Sequence, residues 1–452
     1  MKDSAGFQNK NLASKRSERL IEWIGEIPEE WKISTISYYT TSRSGGTPDR
    51  RILQYWDQGT IPWMASGEVN KVNVYETNEK ITLLGSNNSS AKLLKKNSVI
   101  VALNGQGKTK GMSAILRIDA ACNQSLCGFF CNSKYLYFGY LFYCFQTMYK
   151  YLRSQAGDEL RDGLASSFIK KQRIPLPPTK IQTRIADFLD SKCTKIDSLK
   201  NNIKKQIETL EQYKKSIITE AVTKGINPNV KMKYSGIEWI GEIPEDWEIH
   251  PIYYYFDERK HKNSPCKEKN LLSLSYGNII RKDINALGGL LPESFNTYNI
   301  IEKDDIVIRP TDLQNDKRSL RTGICKEHGI ITSAYITLKP KKDVNSQYYH
   351  YLLHSYDIEK VFYNMGNGVR QGLNYSEFKK LLIISPKLDE QKNIVDYLDS
   401  KCSAIDRIIS TKKQQLEKLE EYKKSLIFEY VTGKKLVPSC EFSNENSEKR
   451  EA

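Results

Sequence analysis

What most limits the folds open to this chain is a long apolar-striped stretch, Gln182 to Lys224, that is written again 209 residues later from Gln391 to Gly433. The unbroken runs LDSKC (Leu189 to Cys193, Leu398 to Cys402) and YKKS (Tyr213 to Ser216, Tyr422 to Ser425) mark a duplication. In both copies apolar residues recur at steps of three and four, as in Ile185, Leu189, Ile196 and Leu199 or Ile394, Leu398, Ile405 and Ile408. Such spacing lays them along one stripe of a helix. No Pro or internal Gly interrupts either copy before Gly225 and Gly433, which supply the usual stop. Each copy therefore predicts one continuous helix of about 43 residues, roughly 64 Å long. A helix with so narrow a stripe owes its stability to packing, so it needs a partner. The nearest candidate is its own repeat, laid antiparallel about a pseudo-two-fold axis; the alternative is two helices each packed on a local domain.

A second motif is also duplicated. IEWIGEIPEEW (Ile21 to Trp31) returns as IEWIGEIPEDW (Ile237 to Trp247), now 216 residues apart, and holds four of the six tryptophans. Large rings beside a Gly and a Pro suit anchoring of the chain where it enters a domain, rather than stacking on nucleic acid. The offset falls from 216 to 209, so changes are confined to two blocks inside a constant frame. The expected divisions are 1–31 (arm and tryptophan motif), 32–178 (first block), 179–247 (long helix and second motif), 248–387 (second block), 388–436 (long helix) and 437–452 (disordered tail). Runs such as SVIVAL (Ser98 to Leu103), DIVIRP (Asp305 to Pro310) and SAYITLKP (Ser333 to Pro340) read as strands. Tyr140 to Tyr151 and Tyr348 to Phe362 read as helices. The expected fold class is α+β: two α+β domains joined by two long antiparallel helices.

The formal net charge of +15 points to a polyanionic partner. Nine cysteines occur without a CxxC pair, and the spacing of Cys122, Cys127 and Cys131 fits no common zinc site, so no metal is expected. Unpaired thiols, the lack of an apolar signal segment and the absence of a membrane-length apolar run give the expectation of a soluble cytoplasmic protein.

Two loops have residue types apt for DNA. SGGTP, with Arg43 just before it and then Gly45, Gly46 and Thr47, offers bare backbone that could approach a phosphate. NGQGKTKG follows a strand and carries Asn104, Gln106, Lys108 and Lys110; Asn and Gln pair bidentately with adenine, and Lys reaches guanine or phosphate. It is neither a P-loop nor a dinucleotide fingerprint, because Ala102 and the late Gly111 break those patterns. A solvated surface loop is the alternative. The second block has a counterpart past a strand, RPTDLQNDKRSLRTG, with Arg309, Gln314, Asn315, Lys317 and Arg318. Arg161 and Arg370, each shortly before a Gly-Leu pair, complete the candidates, with helix packing as the alternative. Catalytic constellations are missing: no HExxH, no Pro-Pro-aromatic loop of an amino-methyltransferase, no nuclease or helicase signature. The expectation is a DNA reader without enzymatic activity or cofactor of its own.

From about Ile21 to Lys435 the chain resembles a specificity subunit of a Type I restriction-modification system. The resemblance rests on the duplicated tryptophan motif, the GGTP…YW…IPW pattern, LLSLSYGNIIRKD and GIITSAYITLKP, and the GL…KK…P…Q…I…L lead into each long helix. It implies two target recognition domains, each reading half of a split double-stranded DNA sequence, joined by helical regions that bind DNA adenine methyltransferase (modification) subunits. Those subunits would carry S-adenosylmethionine, and a restriction (translocase/nuclease) subunit would add ATP-driven cleavage. A rival from another class is a coiled-coil architectural or regulatory DNA-binding protein, disfavoured because the paired domains differ in sequence.

Overall fold

In the computed structural model, the described residues are 21–438, apart from 106, 156–162, 285–291, 293, 312, 314–319, 342 and 366–371. The chain divides into two compact units, residues 1–202 with 415–452 and residues 203–414. Both divisions fall inside long helices, Thr179–Lys224 of 46 residues and Leu388–Val431 of 44. These helices begin three residues earlier than the apolar repeat predicts. The reason is the glutamine at the start of each repeat. Gln182 is fully buried; its amide donates to the Pro177 and Tyr135 carbonyls and accepts from the Tyr137 N–H, so the turn before it is already helical. Gln391 repeats this with the Pro386 carbonyl and the Asn345 N–H.

The first unit is built on a five-stranded sheet whose central strand, Val99–Ala102, is buried at every residue. It lies between Leu126–Cys131 and Ser113–Leu116, with Thr40–Ser44 and Asn73–Val74 on the edges. The helix Phe138–Gln155 covers it with Tyr140, Leu141, Phe145 and Met148, all buried. One continuous core then takes in Ile185, Phe188 and Leu189 from the first long helix and Leu426, Ile427 and Tyr430 from the second. Cys122, Cys127 and Cys131 belong to apolar clusters, and burial pushes the Cys122 and Cys131 thiols up to about 12. They are core residues.

The second unit rebuilds the sheet in smaller form, in the order Phe256–Glu258, Ile336–Pro340, Ile306–Ile308, Thr322–Ile324. Its helix Ser346–Ile358 buries Tyr348, Tyr349, Leu352 and Tyr356. The strands expected from SVIVAL, DIVIRP and SAYITLKP and a helix in each aromatic run are thus present, but the second helix stops at Ile358, short of the expected Phe362, because Lys360 takes a left-handed φ of +60° and a separate 3-10 helix, Val361–Met365, follows.

The duplication is visible in individual contacts. In the first unit the Tyr140 hydroxyl donates to the Val431 carbonyl at 3.0 Å and Tyr143 to Asp190 at 2.6 Å. In the second, Tyr348 donates to Val222 at 3.0 Å and Tyr351 to Asp399 at 2.6 Å. Lys423 pairs with Asp197 in the first unit and Lys214 with Asp406 in the second, both at 2.7 Å. These are one ion pair written twice, since Asp406 and Lys423 lie 209 residues after Asp197 and Lys214. Each is exposed enough to contribute only about 0.5 kcal/mol, so they set pairing more than stability.

The tryptophan motifs anchor. Trp31 and Trp247 are buried, and Trp247 donates Nε1 to Glu390 at 3.0 Å. Each holds a helix end. Gly433 (φ +75°) stops the second helix so close to Pro28 and Trp31 that a Cβ would stand 2.5 Å from the proline, and Gly225 (φ +77°) meets Trp247 and Pro244. At such φ an L side chain is strained, and at Gly433 it would also collide. Among the described residues no helix is long and apolar enough to cross a membrane.

Of the five histidines, all in the second half, His328, His350 and His354 are held by the structure. His350 and His354 are partly buried and kept neutral, their pKa values lowered to about 4 mainly by desolvation. His328 lies 2.9 Å from both Glu302 and Glu268, and the hydrogen bond it donates to Glu302 holds its pKa above the ordinary 6.5. Because the folded value is raised, the stabilisation is fully present below the unfolded pKa and is lost as pH rises through the folded one. We expect His328→Gln to lower Tm at about pH 6 and to make little difference at about pH 9; an equal loss at both would exclude a charged His328.

Candidate nucleic-acid interface

The two candidate loops turn out to be the same structural object. In the first unit, NGQGKTKG is the loop of the hairpin joining the central strand Val99–Ala102 to Ser113–Leu116, closed by Ala102 N–H to Met112 O at 2.9 Å and Gly111 N–H to Ala102 O at 2.8 Å. In the second, RPTDLQNDKRSLRTG spans the hairpin joining Ile306–Ile308 to Thr322–Ile324, closed by Arg309 N–H to Arg321 O at 2.9 Å.

Each loop is braced from behind. In the first unit, Tyr149 Oη donates to Lys108 O at 2.7 Å, and Arg153 Nη1 donates to Gly107 O at 2.9 Å and Lys110 O at 3.2 Å. Both come from the sheet-covering helix, so the loop backbone is held while the Asn104 and Lys108 side chains are exposed. Gly107 has φ +61° and supplies the left-handed residue the loop needs. In the second unit the brace is Arg321, fully buried. It donates Nη1 to the Arg309 and Thr311 carbonyls, and its N–H reaches the buried Asp357 at 2.9 Å. The first pair of braces is hidden in the sequence because Tyr149 and Arg153 lie more than 40 residues from the carbonyls they hold, whereas Arg321 lies within the quoted segment, 10 and 12 residues from its acceptors.

The repeated Gly-Leu pair is explained by the same hairpins. Leu164 donates its N–H to Leu103 O at 2.8 Å, and Leu373 to Pro310 O at 2.9 Å, each one or two residues after the strand that opens the hairpin. Gly163 lets the Asn104 side chain lie against it, since a Cβ there would meet Asn104 Oδ1 at 1.8 Å.

The SGGTP loop leaves the same end of the five-stranded sheet: Gly45 N–H bonds to Leu126 O and Leu103 N–H to its neighbour Ser125 O. Here the expectation from sequence needs correction. Gly45 and Gly46 are buried, both N–H groups are consumed internally (Gly45 to Leu126 O, Gly46 to Cys122 O), and Gly46 O accepts from Trp63 Nε1 at 2.9 Å. A Cβ on Gly45 would stand 2.1 Å from Cys122 O, and one on Gly46 2.2 Å from Ser90 Oγ. The glycines permit internal packing and leave no free N–H for a phosphate. Thr47 hydrogen-bonds Gln124, while Arg43 is exposed on the edge strand. The YW…IPW residues fasten the loop: Trp56 packs edge-on against Trp63 at 5.1 Å, with the Arg50 guanidinium 3.9 Å above Trp56.

Of the remaining candidates, Arg309 is half-buried and Lys110 partly so, each with a partner. Gln106, Arg161, Gln314, Asn315, Lys317, Arg318 and Arg370 lie outside the described residues. The structure adds a basic run that the sequence reading passed over. Arg259, Lys260, His261 and Lys262 follow the edge strand Phe256–Glu258 and so leave the second sheet at the end where Arg309 does, with Arg259 N–H bonded to Thr337 O. Arg259 itself pairs with the buried Asp305, while Lys260, His261 and Lys262 are exposed. Four basic or titratable residues in a row were the available signal. No group of His, Cys, Asp or Glu among the described residues could hold a metal ion.

Comparison with known proteins agrees with this organisation. The family model for the Type I restriction modification DNA specificity domain matches residues 28–209 and 290–421, more than half of the chain. The MjaVIII specificity subunit of a Type I restriction enzyme from Methanocaldococcus jannaschii is 26% identical over 92% of this chain and 95% of its own length. The putative MjaX specificity subunit of the same organism is 28% identical, the match spanning 64% of this chain and 65% of that protein. Among solved structures, a chain from work on complex assembly and conformational transition of the type I R-M system superposes with a TM-score of 0.68 at 14% identity, covering 90% of this chain and 99% of that one. The HsdS subunit from Thermoanaerobacter tengcongensis gives 0.51 at 14% identity, covering 90% and 98%. At such identity these two establish the fold alone: two α+β domains with long helices. Taken with the family match, the twin braced hairpins place this chain in the family of Type I restriction-modification DNA specificity subunits, the non-catalytic DNA-recognising members of those systems.

Proposed function

We propose that this chain reads a bipartite, asymmetric double-stranded DNA target, with one recognition domain per half-site (residues 32–178 and 248–387), inside the cytoplasm. Its two long helices scaffold DNA adenine methyltransferase subunits and, where the system cleaves, a restriction subunit. The observation that carries the reading is that one frame holds two reader hairpins of different sequence. A frame that repeats its hairpin and its Gly-Leu dock while its loops and their braces diverge is suited to two half-sites that differ. The crosswise pairs Asp197–Lys423 and Asp406–Lys214 support antiparallel helices about a pseudo-two-fold axis. That symmetry would present the two domains equivalently to the two strands of a duplex. The net charge of +15 supplies sequence-independent, salt-dependent affinity beneath the base readout. Arg43, Asn104, Gln106, Lys108, Lys110 and Arg161 are the contacts assigned to one half-site. Arg309, Gln314, Asn315, Lys317, Arg318 and Arg370 are assigned to the other.

The test is methylome sequencing of cells in which the subunit works with its modification partner. Replacing Asn104 and Lys108 by Ala relaxes one half-site, and replacing Gln314 and Asn315 by Ala relaxes the other; each lost bidentate contact weakens discrimination by about 1–3 kcal/mol. An unchanged bipartite target in both variants would remove the hairpins from the reading surface.

A further inference from the structure

We propose that the lysine pairs Lys170–Lys171 and Lys379–Lys380 hold the phosphate backbone of DNA beside the half-sites, one pair in each unit; the inference rests on the function proposed above. A duplex offers two kinds of surface. Base edges differ between two unlike half-sites, whereas the phosphates are the same at both. Residues that read bases must therefore diverge between the units, while residues that hold phosphate are free to stay identical. The KK of the repeated lead into each long helix is such an identity, since Lys379 and Lys380 stand 209 residues after Lys170 and Lys171.

Both pairs occupy one local setting. Leu164 and Leu373, docked on the reader hairpins, are followed one residue later by short helices, Ser166–Lys170 and Tyr375–Phe378. Ile169 and Phe378 turn inward and are fully buried, which leaves Lys170 and Lys379 half-buried and Lys171 and Lys380 exposed. Just after each pair the Gln172 and Leu381 carbonyls accept from the Ile36 and Ile252 N–H groups, both at 3.0 Å, so the backbone is pinned the same way in each unit. The lysines stand only six and seven residues past the docked leucine, roughly 10 Å at the helical rise. In the first unit a further observation puts Lys170 at the reading end. Burial raises the Cys127 thiol, and the hydrogen bond with Ser44 and the nearby Lys170 ammonium act against it. Cys127 faces Ser44 in the sheet, where the edge strand gives way to the Gly45 and Gly46 loop.

Their charges are also available. On the long helices Lys200, Lys214 and Lys423 are each paired with an acid. Among the described residues no carboxylate pairs with Lys170, Lys171 or Lys379, and Lys380 meets only Glu377, at 3.3 Å with both side chains open to solvent, a pair of little strength. Two adjacent ammonium groups beside a base-reading loop suit a row of phosphates, each lysine acting as a point charge.

The salt dependence of DNA binding by the assembled modification complex tests the assignment. Each phosphate contact adds about 0.9 to the slope of log affinity against log salt, so Lys170→Gln with Lys171→Gln lowers the slope by about 2, as does Lys379→Gln with Lys380→Gln. The gap between parent and variant then widens about tenfold from roughly 200 to 50 mM salt, equally on the split target and on an unrelated duplex. Methylome sequencing returns the same two half-sites, and the corresponding Lys→Arg pairs keep the parent's slope. An unchanged slope, or a loss confined to the split target, overturns the assignment. So does a double Gln variant that fails to assemble with its modification subunits in the absence of DNA, which would make the pair a protein contact. Failure of the underlying function looks different: the parent complex would show no preference for a split sequence, while the slope on an unrelated duplex still tests the lysines.

Discussion

One heptad added to each long helix, after Gln206 and after Gln415, lengthens the preferred spacer between the half-sites by about three base pairs. Seven residues keep the apolar stripe in register and add about 10 Å of helix, against roughly 3.4 Å per base pair. The positions suit insertion because Gln206 accepts from Lys412 at 2.6 Å, so the two sites lie across from one another on the helix pair. Three base pairs also turn the second half-site by more than a quarter of a helical turn, at about 10.5 base pairs per turn, so some loss of affinity accompanies the shift. Methylation of a library with varied spacers reads the result. The half-site sequences stay as they were; an active variant still preferring the original spacer would show that the helices do not set the distance.

The second large effect concerns the tryptophans that hold the helix ends. Trp31→Ala and Trp247→Ala each empty a buried site the size of an indole and cost about 3–5 kcal/mol. Trp247→Ala also removes the donor to Glu390, a carboxyl whose pKa burial already raises. Since each ring belongs to one unit, we expect two thermal transitions in each variant, with the lower one assigned by limited proteolysis to residues 1–202 and 415–452 for Trp31 and to 203–414 for Trp247. A uniform small shift in both would mean that the rings are not the anchors.

Much of the frame was legible because a duplication doubles every signal: the stripe of the long helices, the glycine stops and the Gly-Leu pairs are each written twice. Their reasons were less legible. Gln182 reads as one more polar helix residue, and only the structure brings it to Tyr135 and Tyr137, over 40 residues upstream. Gly45 and Gly46 were misread because a glycine pair says that something approaches the backbone closely without saying what; here it is the chain's own Cys122 and Ser90. The hairpins were found from their position after a strand, whereas the braces Tyr149 and Arg153 sit where sequence reads only helix surface, and Arg321, although within the quoted segment, reads there as one more basic residue.

The unequal continuity of the two units bears on the order in which the protein forms. The second unit is a single run of chain, residues 203–414, whereas the first stays incomplete until residues 415–431 have been made. Tyr140 waits for an acceptor 291 residues downstream, and Leu426, Ile427 and Tyr430 close a core begun at the tryptophan motif. During synthesis, which runs at about 5–20 residues per second, the domain translated later is thus the first able to finish. The earlier one carries an open apolar face through roughly the last half of translation, and its final helix acts as a lid delivered at the end.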